Sequence, residues 1–593
     1  MAEPIPEKLT YLGKIDYRNK AVTFGIKKGD RTRHTYIIGK TGMGKSTLLE
    51  NMAVQDIQNG EGVCIIDPHG SMAEKMLDFI PESRIKDVIY FAPFDTDSPI
   101  GLNVLEKVDK EKRHLVANGI MAAFKKTFVD SDGKGTFSAR MEYILNNIIL
   151  ALLENDGQSL LGVNRMLTDK DYRKWIVSNV TDPTVKEFWE KEYANYSERF
   201  AQEAAPAIQN KVGQFAGNPL IRNIVGQQRT SIDLRDAMDT KKILIVNLSK
   251  GKVGEGNANL IGSLLITKIY LAAMSRADAG PYELESLPPF YLYVDEFQNF
   301  ANESFASILS EARKYNLALT VAHQYVEQMT DEVKSAVFGN VGTMIVFRVG
   351  ATDAEMFEKE FAPYFILDDF VNLSAYQVYL RLMIDGQGSR PFSAHTLPAI
   401  QKPAISSAQA VIAYSRKAYG RPVAEVEQEI NDFYKPVIKE EKRREEPTER
   451  QVNVRQIRND TPLPPRREYK PEPTNQEDSQ AKAMMELDRK NIAEDEKRRE
   501  EERRRQEDRR AQRAPRNNPR REERTEERKP AEVGGTPAMS LKDALARAME
   551  EHKKEKVEGN AEDKDVKVSV ETKVATQKIS AEVPEDVLRK LIE

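Results

Sequence analysis

Residues 31–48 read RTRHTYIIGKTGMGKSTL. The apolar run Tyr36-Ile37-Ile38 breaks into Gly39-Lys40-Thr41-Gly42-Met43-Gly44-Lys45-Ser46, and with Thr47 a helical pattern is under way. A strand that stops abruptly, a glycine-punctuated turn and a helix start are what a phosphate-binding loop needs. The turn points successive backbone N–H groups at phosphate oxygens, and the helix adds its positive end to the same anion. Gly39, Gly42 and Gly44 supply the backbone freedom, Lys45 reaches the β- and γ-phosphates, and the Ser46 hydroxyl ligates the Mg2+ that accompanies ATP. Residues 39–47 are therefore expected to hold ATP and Mg2+ as a complete P-loop.

The flanking sequence alternates in the same style. YLGKID, VTFGIK and HTYIIG come first, and GVCIIDPHG and DVIYFAP follow with helical intervals between them. Runs rich in Val, Ile and Tyr that end in Gly, Pro or Asp, separated by helices, predict an α/β fold with a central, mostly parallel sheet covered on both faces. From residue 111 to about 240 the pattern changes. Apolar positions in MEYILNNIILALLE recur at helical spacing, and aromatic-bearing helices follow without a clear strand. Residues 111–238 are expected to form an inserted all-α lobe, between core segments 1–110 and 239–437. The sheet resumes with KKILIVNLSKG, FYLYVDEFQNF, ALTVAHQ and TMIVFRVG. It closes on a hairpin, YQVYLRLMIDGQGSRPFSA, with Asp385-Gly386 at its turn.

After residue 437 the chain becomes charge, proline and glutamine, too poor in apolar residues for a core. Residues 438–560 are expected to be a low-complexity linker or a lone charged helix, since Glu500 and Glu501 pair in spacing with Arg504 and Arg505 and no apolar heptad seam supports a coiled coil. Two amphipathic pieces, residues 540–553 and 583–593, either dock onto a partner or remain frayed. Over the whole chain, 89 Lys and Arg face 93 Asp and Glu, a net charge of −4, so a nucleic acid must be met by local patches. The single cysteine, Cys64, excludes an intramolecular disulfide and fits a reducing cytoplasm. No stretch is read as the roughly 18–20 apolar residues that span a bilayer, so direct membrane insertion is not expected and membrane recruitment would be peripheral, through partners.

Hydrolysis needs a metal carboxylate and a group that orients water. The apolar run 290–294 ends in Asp295 and Glu296. Asp295 is placed to hold Mg2+ and Glu296 to activate the attacking water. ALTVAHQ delivers Gln324 to the carboxyl edge of the sheet, where nucleotides bind and where an amide senses the γ-phosphate. His323 reads as a neighbour of that sensor. Asp67, in IIDPHG, either serves the metal from behind or starts the next turn. Arg313 and Arg348 are alternatives for an arginine finger, each set against a plain surface ion pair. Residues 249–256, SKGKVGEG, are either a cationic DNA-contacting loop or a flexible connection near the nucleotide.

On GKTGMGKST, IIDPHG, VDEFQNF and AHQ in this order, the chain resembles the conjugative coupling-protein branch (TraD/TraG-like) of the HerA/FtsK group of RecA-like motors found with type IV secretion systems. The resemblance covers about residues 25–400. It implies a homo-oligomeric ring, a hexamer, with ATP at subunit interfaces and DNA in a central channel. It makes Arg313 the finger and Gln324 the sensor, and it gives the helical lobe a role in recognising relaxosome or secretion-apparatus proteins. Two features are read as departures from the family: no N-terminal transmembrane segment is expected from residues 1–30, and the tail is charged. A DNA translocase or coupling ATPase is the expected function; the alternative is a nucleotide-switched recruitment ATPase acting through the tail.

Overall fold

The P-loop strand, buried at every position, lies inside a large sheet with a parallel strand on each side. The chain, represented by a computed structural model, is described at residues 8–17, 20–106, 108–128, 137–196 and 198–436. The charged segment, the Glu500 to Arg505 spacings and both amphipathic pieces lie outside the described residues. The described residues form thirteen strands, in chain order β1 (Leu9–Tyr17), β2 (Lys20–Lys27), β3 (Thr35–Ile38), β4 (Gly62–Asp67), β5 (Val88–Phe91), β6 (Ile243–Asn247), β7 (Phe290–Val294), β8 (Leu317–His323), β9 (Thr343–Val346), β10 (Gln377–Arg381), β11 (Met383–Ile384), β12 (Gln387–Gly388) and β13 (Phe392–Thr396).

Eleven of them form one sheet in the order β2-β1-β13-β10-β9-β3-β8-β7-β4-β6-β5. The seven strands from β9 to β5 are mutually parallel, with β3 between β8 and β9. The first two strands differ from a simple parallel reading. Close in sequence, they pair antiparallel with each other, and β1 then pairs with β13, so an antiparallel set extends the sheet beyond β9. The hairpin of β11 and β12 turns at Asp385 and Gly386, with φ of 50° and 76°, as the Asp-Gly pair requires. The Asp30 carboxylate accepts both turn N–H groups, from Asp385 at 3.0 Å and Gly386 at 2.7 Å.

Alternation along each strand divides the core in two. Tyr36, Ile38, Leu292, Val294 and Leu319 face one layer, with the helices Glu255–Met274, Glu303–Glu311 and Asp331–Asn340. Ile37, Ile65, Tyr291, Tyr293 and Ala322 face the other, with the helices Lys45–Gln58 and Ser71–Asp78. The segment between β5 and β6 is helical from Arg113–Thr127 to Leu234–Asp239, with no strand among its described residues. Its apolar side chains join the first layer, and Gly119 lets Arg113–Thr127 approach Thr267 on the helix Glu255–Met274 too closely for any Cβ.

That last helix corrects the hydropathy reading. Residues Glu255–Ala279 are long and apolar enough to cross a membrane, the only such helix among the described residues, and 67% of the qualifying window is buried inside the protein. Most of its apolar surface packs against the sheet and the helical segment. The exposed edge at β5 is closed by the helix Ala408–Tyr419, whose Ser415 hydroxyl accepts the Tyr90 N–H at 2.8 Å.

Candidate nucleotide site

All the residues singled out after strand ends meet at the carboxyl edge of the sheet, except Arg313. The P-loop is anchored from three sides. Gly39 N–H donates to His323 O at 3.4 Å, Lys40 N–H to Arg348 O at 2.8 Å, and Tyr376 N–H to Met43 O at 2.9 Å. The glycines are required by these contacts. A Cβ on Gly39 would lie 2.4 Å from Phe347 Cβ, and Gly44, at φ 115°, carries the Tyr376 ring 2.8 Å from where its Cβ would be. Gly44 also caps the helix Lys45–Gln58.

Lys45 opens that helix with its ammonium turned back over the loop, donating to Gly39 O at 2.6 Å and Lys40 O at 3.3 Å. Burial lowers its pKa, while Glu296 and Asp295 act against that. The Ser46 hydroxyl donates to Asp295 Oδ2 at 3.3 Å. Burial, then the negative charges of Glu296 and Asp67, push the Asp295 carboxyl up to about 6. A buried carboxylate raised by two acidic neighbours and paired with a hydroxyl fits a divalent cation, whose charge relieves that repulsion. Among the described residues no cluster of three His, Cys, Asp or Glu side chains forms a fuller cage. A hydroxyl–carboxylate pair suits Mg2+, which takes its remaining oxygens from phosphate and water.

Glu296 follows with φ 47° and ψ 48°, a left-handed conformation unusual for a side chain of this size. Both carboxylate oxygens are engaged, Oε1 by Gln324 Nε2 and Oε2 by Gln298 Nε2, each at 2.6 Å. The amide oxygen of Gln324 accepts the Thr41 hydroxyl at 3.0 Å. Gln324 thus bridges the P-loop and the acid. The strained backbone of Glu296 is held by Asn299, whose backbone N–H and Nδ2 both donate to Glu296 O, at 3.0 and 2.7 Å.

Other residues resolve differently from one another. Asp67 takes the turn-starting role: its carboxylate accepts His69 N–H at 2.8 Å and Ala73 N–H at 3.0 Å. His323 is buried between Tyr36 and Phe297, with ring centroids 5.4 and 4.9 Å away, and burial lowers its pKa to about 3. It packs as a neutral ring. Arg348 lies at its own chain's P-loop through the Lys40 contact. Arg313 is exposed in the turn Ala312–Tyr315, at the opposite end of β8 from Gln324. The seven residues of β8 separate it from that edge by about 20 Å. Residues 249–256 are not an open loop. The four-residue turn Lys250–Val253 meets the start of the long helix Glu255–Met274 there, with Lys250 on Glu255 at 2.8 Å and Lys252 on Glu74 at 2.9 Å.

Sequence reasoning missed the roles of Gln298, Asn299 and Tyr376. The two amides were visible as the polar residues that follow Phe297 in DEFQN, but which group each would meet depends on the tight turn that follows β7.

Residues 19–362 match the family described as the type IV secretion-system coupling protein DNA-binding domain. Solved structures similar to the chain include the plasmid coupling protein TrwB in complex with ADP and Mg2+, at 15% identity and a TM-score of 0.48, covering 68% of this chain and 98% of that one. TrwB with the ATP analogue ADPNP aligns at 16% identity and 0.47, covering 67% and 96%. VirB4 of Thermoanaerobacter pseudethanolicus aligns at 16% and 0.43, covering 66% and 96%. No curated protein matches the sequence. The family match runs over more than half of the chain and takes in the P-loop, both acids, Gln324 and both arginines, and on that ground the chain belongs to the type IV secretion-system coupling proteins.

Proposed function

We propose that the chain is an ATP-hydrolysing, DNA-binding motor that couples DNA to a transfer or secretion apparatus. The line Thr41–Gln324–Glu296 carries this function, because it joins the phosphate loop to the acid that faces the attacking water. The backbone N–H groups of the P-loop and Lys45 bind the phosphates. Ser46 and Asp295 would hold Mg2+, which neutralises charge on the phosphates and orients them. Glu296 takes a proton from water as it attacks the γ-phosphorus, and Gln324 keeps that carboxylate aimed and registers the loss of the terminal phosphate through Thr41.

Arg313 is too far from its own P-loop to stabilise charge there, so it serves a neighbouring copy, and the active assembly is a ring, hexameric as the resemblance implies. Arg348 stays with its own loop. DNA is bound through local cationic groups at the carboxyl edge, and relaxosome or secretion-apparatus proteins are the protein partners.

Binding and hydrolysis separate in two variants. Lys45→Ala is expected to abolish nucleotide binding, whereas Glu296→Gln keeps binding and loses phosphate release. Phosphate release by Glu296→Gln at the wild-type rate would contradict the assignment.

A further inference from the structure

Lys250 occupies an unusual place for a candidate DNA-contacting lysine. Its ammonium donates to Asn299 Oδ1 at 2.7 Å and to Glu255 Oε1 at 2.8 Å. Asn299 is the residue whose N–H and Nδ2 both hold the carbonyl of Glu296. Fixing Oδ1 on Lys250 fixes the amide plane, and with it the donor that keeps Glu296 in its left-handed conformation. Lys250 sits at the start of the four-residue turn Lys250–Val253, between Ser249 and the positive-φ Gly254. Its partners at the surface are a carboxylate and an amide, both of which a phosphate diester can replace.

We propose that Lys250 and Asn299 are positioning residues that report polyanion binding to Glu296: a DNA phosphate that takes the Lys250 ammonium frees Asn299 Oδ1 and relaxes the backbone of the acid. The pair acts on water activation and leaves the phosphate-binding groups untouched. This rests on the hydrolytic role of Glu296 and on DNA as the partner.

The test is steady-state ATP hydrolysis by the full chain, with and without saturating duplex or single-stranded DNA, for wild type, Lys250→Met, Lys250→Arg and Asn299→Asp. Lys250→Met, which keeps the stem and loses the charge, is expected to hydrolyse ATP without DNA at close to the DNA-stimulated rate. Its ratio of rates with and without DNA falls to about one, while KM for ATP stays within about twofold of wild type. Lys250→Arg restores the ratio. Asn299→Asp, which keeps the acceptor for Lys250 and loses the donor to Glu296, uncouples in the same way, and nucleotide binding reports its folding. If wild type responds to DNA and both Lys250→Met and Asn299→Asp respond equally, the coupling is overturned and the motor function stands. A wild-type rate indifferent to DNA overturns both.

Discussion

Gln324 donates to the Glu296 carboxylate at 2.6 Å while its own carbonyl accepts the Thr41 hydroxyl. One amide therefore touches both the phosphate loop and the Glu296 carboxylate, the group proposed to activate water. Gln324→Ala breaks both contacts without removing a phosphate ligand. Its kcat is expected to fall on the order of tenfold to a hundredfold, with nucleotide affinity retained. Thr41→Val, which severs only the outer contact, should cost less. Single-turnover hydrolysis and nucleotide titration measure the two effects separately.

Arg313 faces away from its own P-loop, so its loss is expected to behave as the loss of a group supplied by a neighbour. Arg313→Ala should lower kcat by about a thousandfold while ATP binding persists. Mixing it with the equally inactive Lys45→Ala should recover activity, because some interfaces then combine an intact loop with an intact arginine. No recovery on mixing, with both proteins assembling, would contradict a role across the interface.

Arg31 sits at the entrance of β3, fully buried, with Nη1 2.6 Å from Asp56 Oδ1 and Nη2 donating at 2.6 Å to the Tyr293 hydroxyl. The guanidinium also lies 3.8 Å over the Tyr291 ring. This group ties the P-loop helix to β7, the strand that carries Asp295. Asp56→Ala strands a buried cation and is expected to cost about 3–5 kcal/mol. Tyr293→Phe keeps the ion pair and should cost only about 1–2 kcal/mol. Urea denaturation of the two variants checks the order.

His34 is held neutral by geometry. Leu319 N–H donates to Nδ1 at 3.1 Å, and Nε2 lies 3.1 Å from Leu309 O, which calls for the Nε2–H tautomer. Burial, with the Arg313 charge adding to it, lowers its pKa from 6.5 to about 4. The folded chain refuses a proton that the unfolded chain accepts near 6.5. Stability is therefore full above 6.5 and declines as pH falls toward 4, by about 3 kcal/mol over that range for this group. The urea midpoint should drop between pH 7.5 and 5, and drop less in His34→Gln, which starts from a lower midpoint. Equal drops would contradict the assignment.

What was legible in the sequence was local. The P-loop, the acids after β7, the amide after β8 and the Asp-Gly hairpin each lie within a dozen consecutive residues, where strand period and turn chemistry fix position. What escaped depends on contacts distant in sequence. Lys250 and Lys252 read as free cations because Asn299 and Glu74 lie far away along the chain. The helix from Glu255 resembles a membrane segment in composition until the helices between β5 and β6 are folded onto it. The pairing of β1 with β13 is likewise invisible to periodicity, since alternation gives the face of a strand and not its neighbour. Arg313 and Arg348 were both candidates by spacing, with Arg348 the weaker; the sheet separates them by placing them at opposite ends of its strands.

The most direct measurement is the steady-state rate of ATP hydrolysis by the full chain as DNA is added at fixed ATP and Mg2+. The rate is expected to rise with DNA and saturate, and to vanish in Glu296→Gln at every DNA concentration. A wild-type rate that does not change with either single-stranded or duplex DNA would contradict a motor that works on DNA.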